Sequence, residues 1–289
     1  MTERSHPERN PLARLLPPLL RPPKGGKKRE EYRNRTRTAL ITICSLVAFV
    51  AVWWALSIIL EVEYLPPPDV VLEAFIQSFT QIDPITGRTM WDNIYASLRR
   101  VVLGFVVAFL LALPMGLVMG FSKLAEEAGR PIVEVFRPIP PLAWAPLLIV
   151  ALGILWGPVI VVFVGVFFPL LSNTIFGVKN VDPSLLDAAR TLGATRGVLF
   201  QKVILPATLP FLMTGVRIGL GVGWMCIVAA EFIAAAGGGV GYYILIQSNV
   251  GRYEYVFAGL AVIAILGLAT TELSGYVEKR VSKWMGMKR

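Results

Sequence analysis

Three stretches of this chain, residues 38–60, 101–122 and 138–178, contain no charged side chain. Nothing else in the sequence restricts the fold so severely. A helix needs about 20 apolar residues to cross a bilayer core. The first two runs are therefore one span each, and the third, 41 residues long, has room for two. Residues 211–236 and 255–275 add two more. The expected spans are 39–60, 97–121, 139–155, 158–178, 211–236 and 255–275. Pro114 is expected to kink the second, and a tight "WGP" to join the third and fourth. The fold class expected is all-α, a polytopic membrane protein with about six transmembrane helices. Composition agrees: the chain is 55% hydrophobic and 16% charged, against roughly 45–50% and 25% for soluble domains.

Charge sets the orientation. Residues 1–38 hold 11 Lys/Arg against 4 Glu, and Lys and Arg also gather in 122–138, 179–210 and 276–289. The segment 61–96 holds six acids and one Arg, Arg88. By the positive-inside rule both termini and the loop 179–210 face the cytoplasm. The Pro-rich tail reads as solvated chain. Arg14, Arg21 and the basic residues of 24–29 suit contact with anionic lipid heads, and the tail lacks the interleaved aromatics of a nucleic-acid binder. Cys44 and Cys226 fall inside spans and read as packing residues. The single histidine, His6, leaves almost no material for metal or imidazole chemistry, so no metal site and no catalytic residue is expected.

Outside, Pro66, Pro67 and Pro68 bar helix, and Asp69 is expected to cap an amphipathic helix over 70–79. Its apolar side, Val70, Val71, Ala74, Phe75 and Phe79, suits a membrane surface. "DPITGR" at 83–88 reads as a turn, and "AAAGGGVG" at 234–241 breaks the fifth span before a short helix through 250.

The segment "DAARTLGATRGVLFQKVILP", residues 187–206, is polar between two spans. Asp182 and Pro183 form a helix start, and Gly193 ends that helix in the left-handed conformation. Thr195 or Gly197 starts a second helix, expected to stop before Pro206. Leu185, Ala188, Ala189 and Leu192 share one face, and the two alanines leave room for close approach. The pattern resembles the cytoplasmic "EAA" loop of binding-protein-dependent ABC importer permeases: Asp187, Ala188, Ala189, three residues, Gly193, nine residues, then Val203, Ile204, Leu205, Pro206. Asp187 stands where Glu is usual, and Val203 where Ile is. Likeness extends over roughly 94–280, through "ASLRRVVLGF", "RPIPPLAWAPLLIVALGI" and "RIGLGVGWMCIVAAEFIAA", and is strongest to taurine, sulfonate, nitrate and bicarbonate permeases.

The resemblance implies a type I ABC importer permease fold in an inner membrane. Together with the hydropathy and charge pattern, it divides the chain into a basic Pro-rich cytoplasmic tail 1–38 and a first span 39–60, both outside the likeness, an external segment 61–93 with its amphipathic helix, a permease core 94–280 with its coupling loop 179–210, and a basic tail 281–289. It also implies that Asp187, Ala188, Ala189, Gly193, Val203, Leu205 and Pro206 couple to an ATPase. Partners would be two cytoplasmic ATPase subunits carrying ATP and Mg, an external solute-binding protein, a second copy of the chain, and lipid. The chain has no G-x-x-x-x-G-K-[ST] loop of its own, so it is expected to bind no cofactor and to be a pore subunit, not an enzyme. A self-sufficient carrier or channel is the alternative. It would require paired charges deep in several spans.

Within the spans, Gly215, Gly219 and Gly223 repeat every four residues, which suits close helix packing. Arg217 is placed near the inner end of the fifth span, where it can snorkel. Pro138, Pro140, Pro141 and Pro146 make 138–146, with Trp144, a candidate pathway segment, because irregular backbone at depth is tolerated only against protein or a cavity. Ser172 and Asn173 are either bundle hydrogen-bonders or pathway groups. Glu231, deep in the fifth span, either holds a broken helix or lines a pathway or gate.

Overall fold

The structure, a computed structural model, describes residues 26–234 and 237–284. The tail at 1–25 and residues 285–289 lie outside the described residues. The chain divides into two compact units at Val62 and Glu63.

The first unit is one helix, α1, Gly26–Leu60. Its apolar part, Thr36–Leu60, is long enough to span. The helix starts well before the expected 39, because "KKREEYRNR" is mostly Lys, Arg and Glu, good helix formers, with no proline among them. The part of the expected tail from Gly26 to 38 is therefore helical.

Helices are the regular elements of the second unit among its described residues. It comprises α2 Pro68–Thr80, α3 Met90–Phe121, α4 Lys123–Phe136, α5 Pro141–Lys179, α6 Pro183–Thr191, α7 Arg196–Leu199, α8 Leu205–Ala234, α9 Val240–Asn249 and α10 Tyr253–Trp284. The core lies between α3, α5 and α8, where Val101, Ala108, Ala112, Val162, Val166, Leu170 and Ile227 are buried. Glycines let these helices meet backbone to side chain. A methyl built on Gly116 would stand 2.6 Å from Thr174 Cβ, and one on Gly219 3.1 Å from Val166 Cγ1. Neither leaves room without a shift, as expected for small-residue seams between membrane helices.

The third and fourth spans do not meet at "WGP". They meet at Gly153, whose φ of 77° and ψ of 174° split α5 in two. Gly157 lies against Ile149, and Gly165 against Pro141, so the two halves run antiparallel. The first half, 141–152, is too short to cross alone. α4 supplies the rest: Gly129 packs on Met119 near the end of α3, and Lys179 at the end of α5 pairs with Glu126 near the start of α4. The third span is therefore two half-helices broken at 137–140. Pro138, Pro140 and Pro141 cannot donate to the carbonyls four residues back, which explains the break.

Other expectations shift for local reasons. α3 begins at Met90 because Thr89 and Asp92 form a reciprocal capping box, and it passes Pro114 as one element. Asp69 does not cap α2; Pro67 stands at that position and Asp69 lies in the first turn. The α2 face meets protein rather than lipid, since Phe75 and Phe79 pack with Met90, Tyr243, Ile244 and Val262. The second loop helix does not stop at Pro206. A π-helical turn, Phe200–Ile204, links α7 to α8, and Leu205 N–H donates to the Phe200 carbonyl five residues back. The widened turn accommodates the missing Pro206 donor. α10 runs past the expected 275 to Trp284.

The "DPITGR" turn forms around Asp83. Its carboxylate accepts from Thr86 N–H and Oγ1, both at 2.8 Å, and from Arg252 at 3.0 Å. Burial alone would raise this carboxyl, but the Thr86 hydrogen bonds and Arg252 outweigh it and hold it below its ordinary value. A depressed carboxyl stabilises the fold above its unfolded pKa, about 3.9. That contribution is lost as pH falls through the lower folded value. The melting temperature of detergent-purified protein is expected to drop between about pH 5 and 3. Asp83→Asn should melt lower at neutral pH and lose less on acidification; equal acid sensitivity would contradict this.

Candidate functional site

Three polar constructions stand out against the apolar body. The outermost closes the end of α8. Past Ala234 the chain turns through Gly238 and Gly239, whose φ values are 67° and 125°. A side chain at Gly239 would strike the Glu231 carboxylate, and one at Gly238 the Arg88 guanidinium. Arg100 on α3 reaches across this turn. Its Nη1 donates to Glu231 Oε1 at 2.7 Å and to the Gly238 carbonyl at 2.6 Å, and its Nη2 to the Gly237 carbonyl at 2.8 Å. Ser97 Oγ donates to the same carboxylate at 2.9 Å. α9 then starts with unpartnered N–H groups, as every helix does. Gly239 N–H donates to Asn93 Oδ1, Val240 N–H to Ser97 Oγ, and Gly241 N–H to Glu231 Oε2. The Arg100 and Glu231 side chains are 5% and 1% exposed. A desolvated pair holds only with good geometry and filled lone pairs, and both conditions are met. Beside it an outer cavity of about 400 Å³ is lined by Arg88, Asp92, Tyr95, Arg99 and Arg100 among others.

The innermost construction is the loop after α5. Asp182 Oδ1 accepts from Ser184 N–H at 2.8 Å, with Pro183 at the first helical position. At the other end Gly193, φ 80°, donates to the Arg190 carbonyl, and Ala194 to the Ala189 carbonyl. These two bonds are the Schellman arrangement that ends a helix on a left-handed glycine. Thr195 caps α7. The loop has its own small core of Val178, Val181, Leu199 and Ile204, against which Leu186, Ala189 and Val203 pack. Ala189 thus leaves the outward face that it was expected to share. Leu185, Ala188 and Leu192 remain on that face, with Leu192 87% exposed. Asp187 is exposed too and pairs with Arg190 at 3.1 Å. Leu205 and Pro206 are half-buried where α8 begins.

The third is a cavity of about 320 Å³ beside the break in the third span, with Arg137, Pro141, Phe168, Ser172, Asn173 and Ile218 among its lining. Pro141, Ser172 and Asn173, read from sequence as pathway candidates, thus come together. Pro140 belongs to the same break. Trp144 lies beyond it, its ring 6.1 Å from that of Phe136. Glu231 is not among the lining groups. Gly215, Gly219 and Gly223 lie along the contact of α8 with α5.

Sequence reading missed Arg100, Ser97 and Asn93 as partners of Glu231, and Arg137 as a cavity residue. Asn93, Ser97 and Arg100 recur at helical spacing on α3, a polar stripe entering an apolar span. That stripe was the available signal.

A bundle of long helices with a broken third span, a polar loop on the basic side and a cavity beside the break is the architecture of a solute permease. Residues 108–283 match the family described as binding-protein-dependent transport system inner membrane component, and the chain belongs to that family. Relatives include the taurine transport system permease protein TauC of Escherichia coli, 35% identical over 254 residues, covering 87% of this chain and 92% of that protein. A putative ABC transporter permease of Methanocaldococcus jannaschii is 34% identical over 263 residues, covering 90% and 98%. The nitrate import permease protein NrtB of Leptolyngbya laminosa is 34% identical over 209 residues, covering 69% and 74%. Among solved structures, the inward-facing MetNI methionine ABC transporter aligns with a TM-score of 0.57 at 21% identity, over 66% of this chain and 95% of that one, which shows the fold. The chain is accordingly a multi-pass inner-membrane protein and a transport pore subunit.

Proposed function

We propose that this chain is the permease subunit of an ATP-driven importer for a small anion, with taurine or another sulfonate favoured and nitrate or bicarbonate next. It works as a homodimer with two ATPase subunits and an external solute-binding protein. ATP and Mg bind on the ATPase. The observation that carries the reading is the cytoplasmic loop: a short helix, capped at both ends, that presents Leu185, Ala188 and Leu192 unpartnered on the basic side of the membrane.

Loaded binding protein and ATP favour an outward-open state, and hydrolysis returns the inward-open one. Such a cycle requires each ligand to prefer one state. Asp187, Ala188 and Gly193 set the docking surface, while Ala189, Val203, Leu205 and Pro206 carry its displacement into α8. The break at Pro140 and Pro141, with Trp144, Ser172 and Asn173, borders the route. Glu231 belongs to the outer closure.

Full-length tagged chain is expected to co-purify with an ATPase, and the reconstituted complex to take up taurine or nitrate only with ATP inside and binding protein outside. Uptake driven by an ion gradient in vesicles containing this chain alone would sink the proposal.

A further inference from the structure

Arg137 lies at the break between α4 and α5 and lines the 320 Å³ cavity. Pro141, one turn further on, packs beside Gly165. Gly165 is 12 residues from the outer turn at Gly153 and 14 from Lys179 at the inner end, roughly 18 Å and 21 Å along a helix. Arg137 precedes Pro141 on the inner side, so the guanidinium lies level with the cavity wall between Gly165 and Asn173, in the inner half of the span. A cation there is costly unless it meets a counter-charge or water.

Among the described residues Arg137 makes no ion pair and no side-chain hydrogen bond. Its neighbours on α4 are already engaged: Glu134 pairs with Arg130 at 2.6 Å, and Glu126 with Lys179. No lining residue of the cavity is acidic. Arg217, exposed on α8 next to the lining residue Ile218, adds a second positive charge to that region. The remaining polar side chains of the lining, Ser172 and Asn173, can each donate. The Ser172 hydroxyl has no hydrogen-bond partner among the described residues, and Asn173 Nδ2 uses one proton on the Pro169 carbonyl at 2.8 Å, leaving the other.

We infer that Arg137, with Ser172 and Asn173, forms a membrane-embedded site for a singly charged oxyanion head group, a sulfonate or a nitrate, in the inner half of the route. The inference rests on the importer reading above and names the residue that selects charge within it. The planar guanidinium can grip two oxygens of such a group. Hydroxyl and amide donors meet the third, and the cavity leaves room for water. One charge and two neutral donors hold the ion loosely, as a site along a pathway must so that the ion can leave. The guanidinium, with no lining carboxylate to offset it, repels cations.

The test uses the complete complex in vesicles, with taurine and nitrate as separate probes. Arg137→Met is expected to lower ATP-driven uptake of the transported probe at least tenfold, Arg137→Glu further, and Arg137→Lys to restore a substantial part of it. Complex yield and melting temperature should match wild type. Without binding protein, 50 mM nitrate or methanesulfonate should raise the melting temperature of the wild-type complex above an equal chloride control, and should not do so for Arg137→Met. Full uptake by Arg137→Met, or loss of subunit assembly in that variant, would overturn the site while leaving the importer reading intact. Wild-type complex that imports neither probe under ATP would overturn the importer reading itself.

Discussion

Arg100→Ala is expected to be the most destabilising single substitution in the membrane core, costing about 3–5 kcal/mol. The guanidinium is the principal cationic partner of Glu231 and also satisfies the Gly237 and Gly238 carbonyls. Removing it leaves a carboxylate 1% exposed with only Ser97 and one backbone N–H, takes the side-chain donor from the buried Gly238 carbonyl, and leaves the Gly237 carbonyl only a long contact with Arg88 Nη1 at 3.5 Å. For a unit of this size the loss corresponds to a fall of roughly 10 °C in melting temperature. Scanning fluorimetry of detergent-purified protein would show it. Glu231→Gln should be nearly as damaging for the complementary reason, since it buries an uncompensated guanidinium. The double variant Arg100→Met, Glu231→Gln should cost less than the two singles together, by about 1–3 kcal/mol. Strict additivity would mean that the two groups do not act as a pair.

At the opposite face, Gly193→Asp is expected to cut ATP-driven uptake at least tenfold while leaving the folded permease in the membrane. Gly193 sits at φ 80° with nothing within 4 Å of an added Cβ. The cost to folding is therefore confined to a left-handed residue, about 1–2 kcal/mol, and aspartate tolerates that conformation better than most. What changes is the surface: a charge and a side chain appear beside Ala188 and Leu192. Ala188→Trp should do the same by bulk alone, since Ala188 is exposed. The readout is the amount of ATPase retained on the tagged permease, with melting temperature as the control. Wild-type ATPase recovery and uptake in both variants would remove the docking role from this face.

The two sites differ in how far they could be read from the chain. The loop was legible because its signals are local: Asp182 and Pro183 start the helix, Gly193 ends it, and the spacing to Pro206 is fixed by covalent sequence. The spans were legible because an uncharged run of 20 or more residues has few other uses. Glu231 was visibly costly, but its partner Arg100 lies 131 residues earlier, and only the packing of α3 against α8 joins them. The broken third span was hinted at by Pro138, Pro140 and Pro141. Its lower half was hidden because α4 carries Lys123, Glu126, Glu127, Arg130 and Glu134, charges that break an apolar run without breaking the helix. The π-helical turn before Pro206 and the protein-facing side of α2 depend on neighbours that no periodicity records.

From Arg196 to Ala234 the backbone is one helical run of 39 residues, about 58 Å at 1.5 Å per residue. A rod of this kind bends at its π-helical turn and at Pro210, yet it has no slack along its axis. Its lower tip belongs to the coupling loop, and three residues from its upper tip stands Glu231. If the loop at its lower tip is gripped by an ATPase as proposed, an axial pull delivered inside the cell would be carried along this helix toward the pair between Glu231 and Arg100 on the outer side.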